Sequence, residues 1–128
     1  MPAKPKPSHA FRQEGVVLTK ATIRAADKLG VPQKVLASVI GVSEAVVSRM
    51  RSGSFALERD NGKAFELAAL FIRLYRSLDA IVGGDEAVAK AWLRNENTAL
   101  QSRPIDLIQK VRGLLDVIHY LDSRRAPI

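Results

Sequence analysis

Glycines at positions 30, 41, 53 and 83–84 cut this chain into short runs, and within each run apolar residues recur at three- and four-residue steps. That pattern restricts the chain to helices of a few turns, each hiding one face. No segment alternates apolar and polar residues for long, so strands are not expected. From Thr19 on, Ile23, Ala26 and Leu29 share a face until Gly30 stops the run. Pro32 suits a first helical turn, Val35, Leu36, Val39 and Ile40 supply the next buried face, and Gly41 ends it after barely two turns. Ser43 is placed to cap a further helix with Val46, Val47 and Met50 on its apolar side, closed by Gly53. Leu67, Leu70, Phe71, Leu74, Leu78 and Ile81 predict a longer helix over about residues 62–82. Asp85 opens another that runs through Leu93, residues 94–103 read as a polar loop, and Pro104 restarts helix toward Leu121. Gly113 is placed to divide that last stretch in two. The expected fold class is all-α, with about seven short helices and no internal repeat.

At 128 residues the chain has the size of about one domain, and 47% apolar against 26% charged residues is enough for a packed core. Twenty Lys+Arg against 13 Asp+Glu give a net charge of +7, which favours a polyanionic partner, nucleic acid first. The surplus is uneven. Residues 19–63 carry eight basic and four acidic groups, whereas residues 64–128 carry nine and eight, which points to different partners for the two halves. With no cysteine, a disulfide scaffold, a Cys-based zinc site and thiol catalysis are excluded. Met1–Pro7 has lysines and prolines but no apolar run behind them, so it does not read as a secretory signal. No window approaches 18 apolar residues, and a soluble, cytoplasmic protein that needs no membrane is expected. Residues 1–15, with Pro2, Pro5, Pro7 and a terminating Gly15, read as a flexible arm whose Lys4, Lys6 and Arg12 are available to phosphate.

The segment Gln33–Gly53, QKVLASVIGVSEAVVSRMRSG, meets each requirement of two helices crossing steeply over a tight turn. Ala37 is small where the helices approach, Gly41 has the backbone freedom for the corner, Val42 fills the space beneath it, and Ser43 caps the second helix. Leu36, Ile40, Val47 and Met50 hold the pair to the rest of the fold. Over roughly residues 19–53 the chain resembles the helix-turn-helix of the Xre/Cro-type repressors, through Gln33, Leu36, Ala37, Ile40, Gly41, Val42, Ser43, Val47, Ser48 and Arg49. The resemblance implies a Cro-like bundle over residues 16–63 whose second helix of the pair, Ser43–Arg51, enters the major groove. Ser43, Glu44, Ala45, Ser48 and Arg49 are then the candidates for base edges, and Gln33, Lys34, Arg51 and Ser52 those for phosphate. Glu44 repels phosphate unless it accepts from a cytosine amino group.

Residues 64–128 are too long and apolar for a tail. Trp92, the single tryptophan, reads as a core or hinge residue packing the two halves. This region resembles the toxin-binding domain of the Xre/MbcA/ParS antitoxins through Trp92, Leu93, Asn97, Leu100, Pro104, Leu107, Gly113, Val117 and Leu121. It departs from that family at Gln101-Ser102, where a glycine pair is common, and at Glu96, where proline is common. The resemblance implies an antitoxin with no cofactor of its own and two partners. One is a cognate RES-domain toxin that consumes NAD or transfers ADP-ribose from it; the other is double-stranded operator DNA. It further implies a homodimer that represses its own operon and a small helical domain that covers the toxin's active site. Arg94, Asn97, Leu100, Arg103, His119, Arg124, Arg125 and Ile128 are the implied toxin contacts. The long helix, with Phe65, Leu70, Phe71 and Tyr75, offers either a dimer surface or core.

No Gly-rich phosphate loop, HExxH motif or histidine pair is present, and neither His9, in the arm, nor His119, in the last helix, has a catalytic neighbour in sequence. An enzyme is therefore not expected. Two further readings stay open: a stand-alone helix-turn-helix repressor whose carboxy-terminal domain only dimerises or senses a ligand, and an interaction protein that has lost DNA binding.

Overall fold

The computed structural model describes residues 9–125, with the side chains of residues 9–12 and of Asn61 left aside. Lys4 and Lys6 of the expected arm, the Arg12 side chain and Ile128 lie outside the described residues and side chains. Seven α-helices are present in the described residues: α1 His9–Leu29, α2 Gln33–Ile40, α3 Glu44–Ser52, α4 Lys63–Val82, α5 Glu86–Arg94, α6 Pro104–Leu107 and α7 Val111–Arg125. A single 3-10 turn, Arg59–Asn61, precedes α4. No strand occurs among the described residues; an isolated antiparallel bridge joins Asn97 and Ser102.

The glycine punctuation does what the spacing predicts. Gly30, Gly41, Gly53 and Gly83 all take the left-handed backbone at helix ends, with φ of 63°, 73°, 84° and 61°. Asp85 caps α5 by accepting from the Val88 amide at 3.2 Å.

Two glycines serve another purpose. Gly15 does not terminate an arm: α1 begins at His9 and runs straight through it. A side chain here is excluded because its Cβ would lie 2.1 Å from the Leu57 carbonyl oxygen. Thr19, one turn on, donates to the Gly15 carbonyl at 2.7 Å and accepts from the Leu57 amide at 2.8 Å. Gly15 and Thr19 thus seat the segment after α3 directly on α1. Gly113 likewise is not a divider. The break in the last stretch falls at Ile108–Lys110, and Gly113 sits buried in the first turn of α7, where a Cβ would come within 2.1 Å of the Leu107 carbonyl oxygen.

The core is built around α4, which packs against α1, α2, α5 and α7. Phe71, Leu74 and Leu78 are fully buried there, together with Leu29 of α1, Leu36 and Ile40 of α2, Leu93 of α5 and Leu114, Ile118 and Leu121 of α7. Each such side chain contributes on the order of 1.5–3 kcal/mol by leaving water. Phe71 is therefore core and is removed from any dimer surface, whereas Phe65, Leu70 and Tyr75 are only half-buried. Polar ties reinforce the packing. Buried Ser77 of α4 donates to Asp122 of α7 at 2.8 Å, Arg73 pairs with the same carboxylate, and Arg125 donates to the Ser77 hydroxyl at 3.3 Å. Burial pushes the Asp122 carboxyl up, but the hydrogen bonds from Ser77 and Arg73 and the charges of Arg73 and Arg125 outweigh it and hold the group below its ordinary value. Arg94, at the end of α5, donates to the Gly30 carbonyl at the end of α1.

Candidate nucleic-acid and partner interfaces

The corner at Gly41 is sharp because its φ of 73° and ψ of 38° turn the chain out of α2, with its amide still bonded to the Ala37 carbonyl. Ala37 is 5% exposed, small enough for the crossing helix to come close. Ser43 then restarts the helix by accepting from the Val46 amide at 3.2 Å. Only Val47 and Met50 of α3 are buried. At 100° per residue these define the inner side, and Ala45, Ser48, Arg49 and Ser52 project from the opposite side, all exposed. Ser43 and Glu44 are exposed at the helix start. The arrangement presents a short helix capped at both ends, free of the core along one face, and of a size that fits a groove of about 12 Å.

The phosphate candidates divide. Gln33, at the start of α2, donates its side-chain amide to the Glu44 carbonyl at 3.1 Å and so ties together the starts of α2 and α3. Lys34 is exposed beside it. Arg51 is not free: its guanidinium grips the Asp27 carboxylate of α1 through two bonds of 3.1 and 2.9 Å. The hydrogen bond from Arg51 lowers the Asp27 pKa, against the opposing effect of burial and with help from the Arg51 charge. Ser52 turns back to donate to the Arg49 carbonyl at 3.1 Å, finishing the helix. Arg49 itself makes one long bond from Nε to the Ala45 carbonyl, 3.4 Å, and lies along the outer surface.

In the second half, the loop between α5 and α6 is closed on itself. The Asn97 amide donates to the Ser102 carbonyl at 3.0 Å, and the Asn97 side chain accepts from the Leu100 amide at 3.0 Å, leaving Leu100 half-buried. Gln101 carries the turn in the left-handed region, φ 60°, the one non-glycine residue with positive φ among the described residues. Arg103 is paired with Asp106 at 2.9 and 3.0 Å. His119 is exposed on α7. Arg124 lies over the Tyr120 ring, 5.1 Å from its centroid, and Tyr120 in turn stacks on Trp92 at 6.2 Å and 21°. Trp92 therefore packs α5 against α7, both within the second half; the halves are joined by the packing of α4 on α1 and α2, to which Arg94 adds a hydrogen bond at Gly30. Asp27, Tyr120 and Ser77 contact the candidate arginines, and sequence pattern does not single them out. Their only hint is matching chemistry, since Asp27 and Ser77 meet their arginines across 24 and 48 residues.

Residues 10–73 match the family model described as the antitoxin Xre-like helix-turn-helix domain. Residues 77–126 match that of the antitoxin Xre/MbcA/ParS C-terminal toxin-binding domain. The two matches meet inside α4, which serves both halves, rather than at its start. No curated protein matches the chain. With both domains present in this order and one face of α3 left clear of the core, the chain belongs to the Xre-like antitoxins, helix-turn-helix proteins that carry a toxin-binding domain.

Proposed function

We propose that this antitoxin neutralises a RES-domain toxin that consumes NAD, by lying over its active site, and that as a homodimer it represses its own operon. The observation that carries the DNA half is the outward face of α3: Ala45, Ser48, Arg49 and Ser52 are exposed while Val47 and Met50 fix the helix to the core. Ser43, Glu44, Ala45, Ser48 and Arg49 address base edges, and Gln33 and Lys34 the flanking phosphates. Arg51 acts through Asp27 by holding α3 against α1, and Ser52 closes the helix. A two-fold pair of such helices, spaced about one helical turn of DNA apart, requires the dimer.

For the toxin half, the closed loop at Asn97–Ser102 and the Trp92–Tyr120–Arg124 column present a preformed surface. Asn97, Leu100 and Arg103 on the loop and His119, Arg124 and Arg125 on α7 are the proposed contacts, with Arg94 bracing the loop's root. Arg124 and Arg125 are engaged with Tyr120 and Ser77 in the free chain, so toxin carboxylates or carbonyls compete for them. Co-expression with the adjacent reading frame tests the proposal. A partner that is toxic alone, depletes NAD, and copurifies harmlessly with this chain is expected. An adjacent product that neither harms cells nor copurifies leaves a stand-alone repressor and overturns the antitoxin reading.

A further inference from the structure

Lys20, Arg24 and Lys28 recur every four residues along α1 and so form one stripe on its surface. The stripe borders α3: its three cations, with Asp27 and Arg51, rim an open trough floored by Ile23 and Met50. Lys20 and Arg24 are exposed and Lys28 is half-buried. The one carboxylate at the rim, Asp27, is already held by Arg51. None of the stripe's three cations has an ion-pair partner among the described residues. Like charges four apart on a helix weaken it. The repulsion along the stripe offsets what Lys28 contributes at the last turn of α1, and the Asp27–Arg51 pair fixes where the stripe stands relative to α3.

We infer that Lys20, Arg24 and Lys28 are a second grip on the DNA backbone, alongside the groove that α3 enters. The inference rests on the reading of α3 as a DNA-binding helix. At about 1.5 Å of rise per residue the stripe is about 12 Å long. A duplex strand offers a phosphate every 3.4 Å or so of its axis, enough for each cation to have its own. Lysine and arginine on flexible stems neutralise phosphate without reading bases, so the stripe sets affinity and salt dependence and leaves sequence preference alone. An acidic protein surface is the competing occupant. The duplex is favoured because Met50 and Arg51 of α3 form one wall of the trough, and because the basic surplus is concentrated in residues 19–63, ahead of the toxin-binding match at 77–126.

The test is a titration of wild type and the K20Q/R24Q/K28Q variant against two duplexes of equal length, the region upstream of the coding sequence and an unrelated one. Salt is varied from about 50 to about 200 mM. With about 0.9 of slope lost per phosphate contact, the variant's log-affinity against log-salt slope should be shallower by about 2.7 for each protomer on the duplex, and wild type should lose about 40-fold more affinity per protomer over that range. The preference between duplexes should not change, and the variant's melting temperature should stay close to that of wild type. A folded variant with an unchanged slope, beside a wild type that binds, overturns the stripe and leaves the α3 reading intact. Weaker capture of the toxin with unchanged DNA binding also overturns it, in favour of protein docking. A wild type without salt-dependent binding to either duplex removes the α3 reading and the stripe with it. Should the triple variant not fold, Lys20→Gln and Arg24→Gln singly, each expected to remove about 0.9 of slope per bound protomer, decide the matter.

Discussion

Gly15 has no side chain because the Leu57 carbonyl occupies the place where one would go. Gly15→Ala is expected to lower stability by about 1–3 kcal/mol despite the roughly 1 kcal/mol that alanine gains in a helix interior, since a backbone atom rather than a flexible side chain must move. Thermal unfolding measures it; a variant as stable as wild type would show that α1 and the Leu57 segment do not touch. Gln101 is the opposite case, a side chain where the backbone prefers none. Gln101→Gly is expected to stabilise the loop by about 0.5–1 kcal/mol, the left-handed penalty less the added freedom of the unfolded chain. A lower melting temperature for that variant would contradict the strained turn. Local pattern has a definite limit at this scale. Gly41 and Gly53 are legible because a helix end is a local event, whereas Gly15 and Gly113 are misread as breaks because a close approach is set by residues elsewhere in the chain.

Among the elements, α2 and α3 are the most legible, because cap, corner and apolar spacing all lie within one short segment. Hidden from local pattern is the clamp that orients them. Asp27 and Arg51 are 24 residues apart and join α1 to α3 only once both helices exist. The hydrogen bond from Arg51 holds the Asp27 carboxyl below its ordinary value, and an acid whose pKa is lowered by folding stabilises the fold above its unfolded pKa of about 3.9. That contribution is fully present at neutral pH and is lost as pH falls below about 4 through the folded pKa. Both side chains are about half exposed, so the effect is modest. The difference in melting temperature between wild type and Asp27→Asn should therefore shrink steadily as pH falls from about 5 toward about 2. A difference that stays constant over that range would place the stabilisation elsewhere.

The molecule as a whole is organised by α4, which carries core residues for both halves and lies across the meeting point of the two family matches. The change in charge balance puts a division at the start of this helix; the packing shares the helix instead. Ser77, Asp122 and Arg73 then fix α7 on α4 and so set where the chain end leaves the fold. Deleting residues 123–128 removes Arg124 and Arg125 while sparing Asp122, so the truncated chain should still fold and bind DNA but release toxin activity. Full neutralisation by the truncated chain would remove the terminal residues from the toxin interface. Whether α3 reads the duplex with its outward face is measured most directly by an anisotropy titration of the labelled upstream duplex with wild type and Arg49→Ala. A loss of about 1–3 kcal/mol in operator affinity, with a narrower gap to unrelated DNA, is the predicted result. Unchanged affinity and preference in a folded Arg49→Ala protein would contradict it.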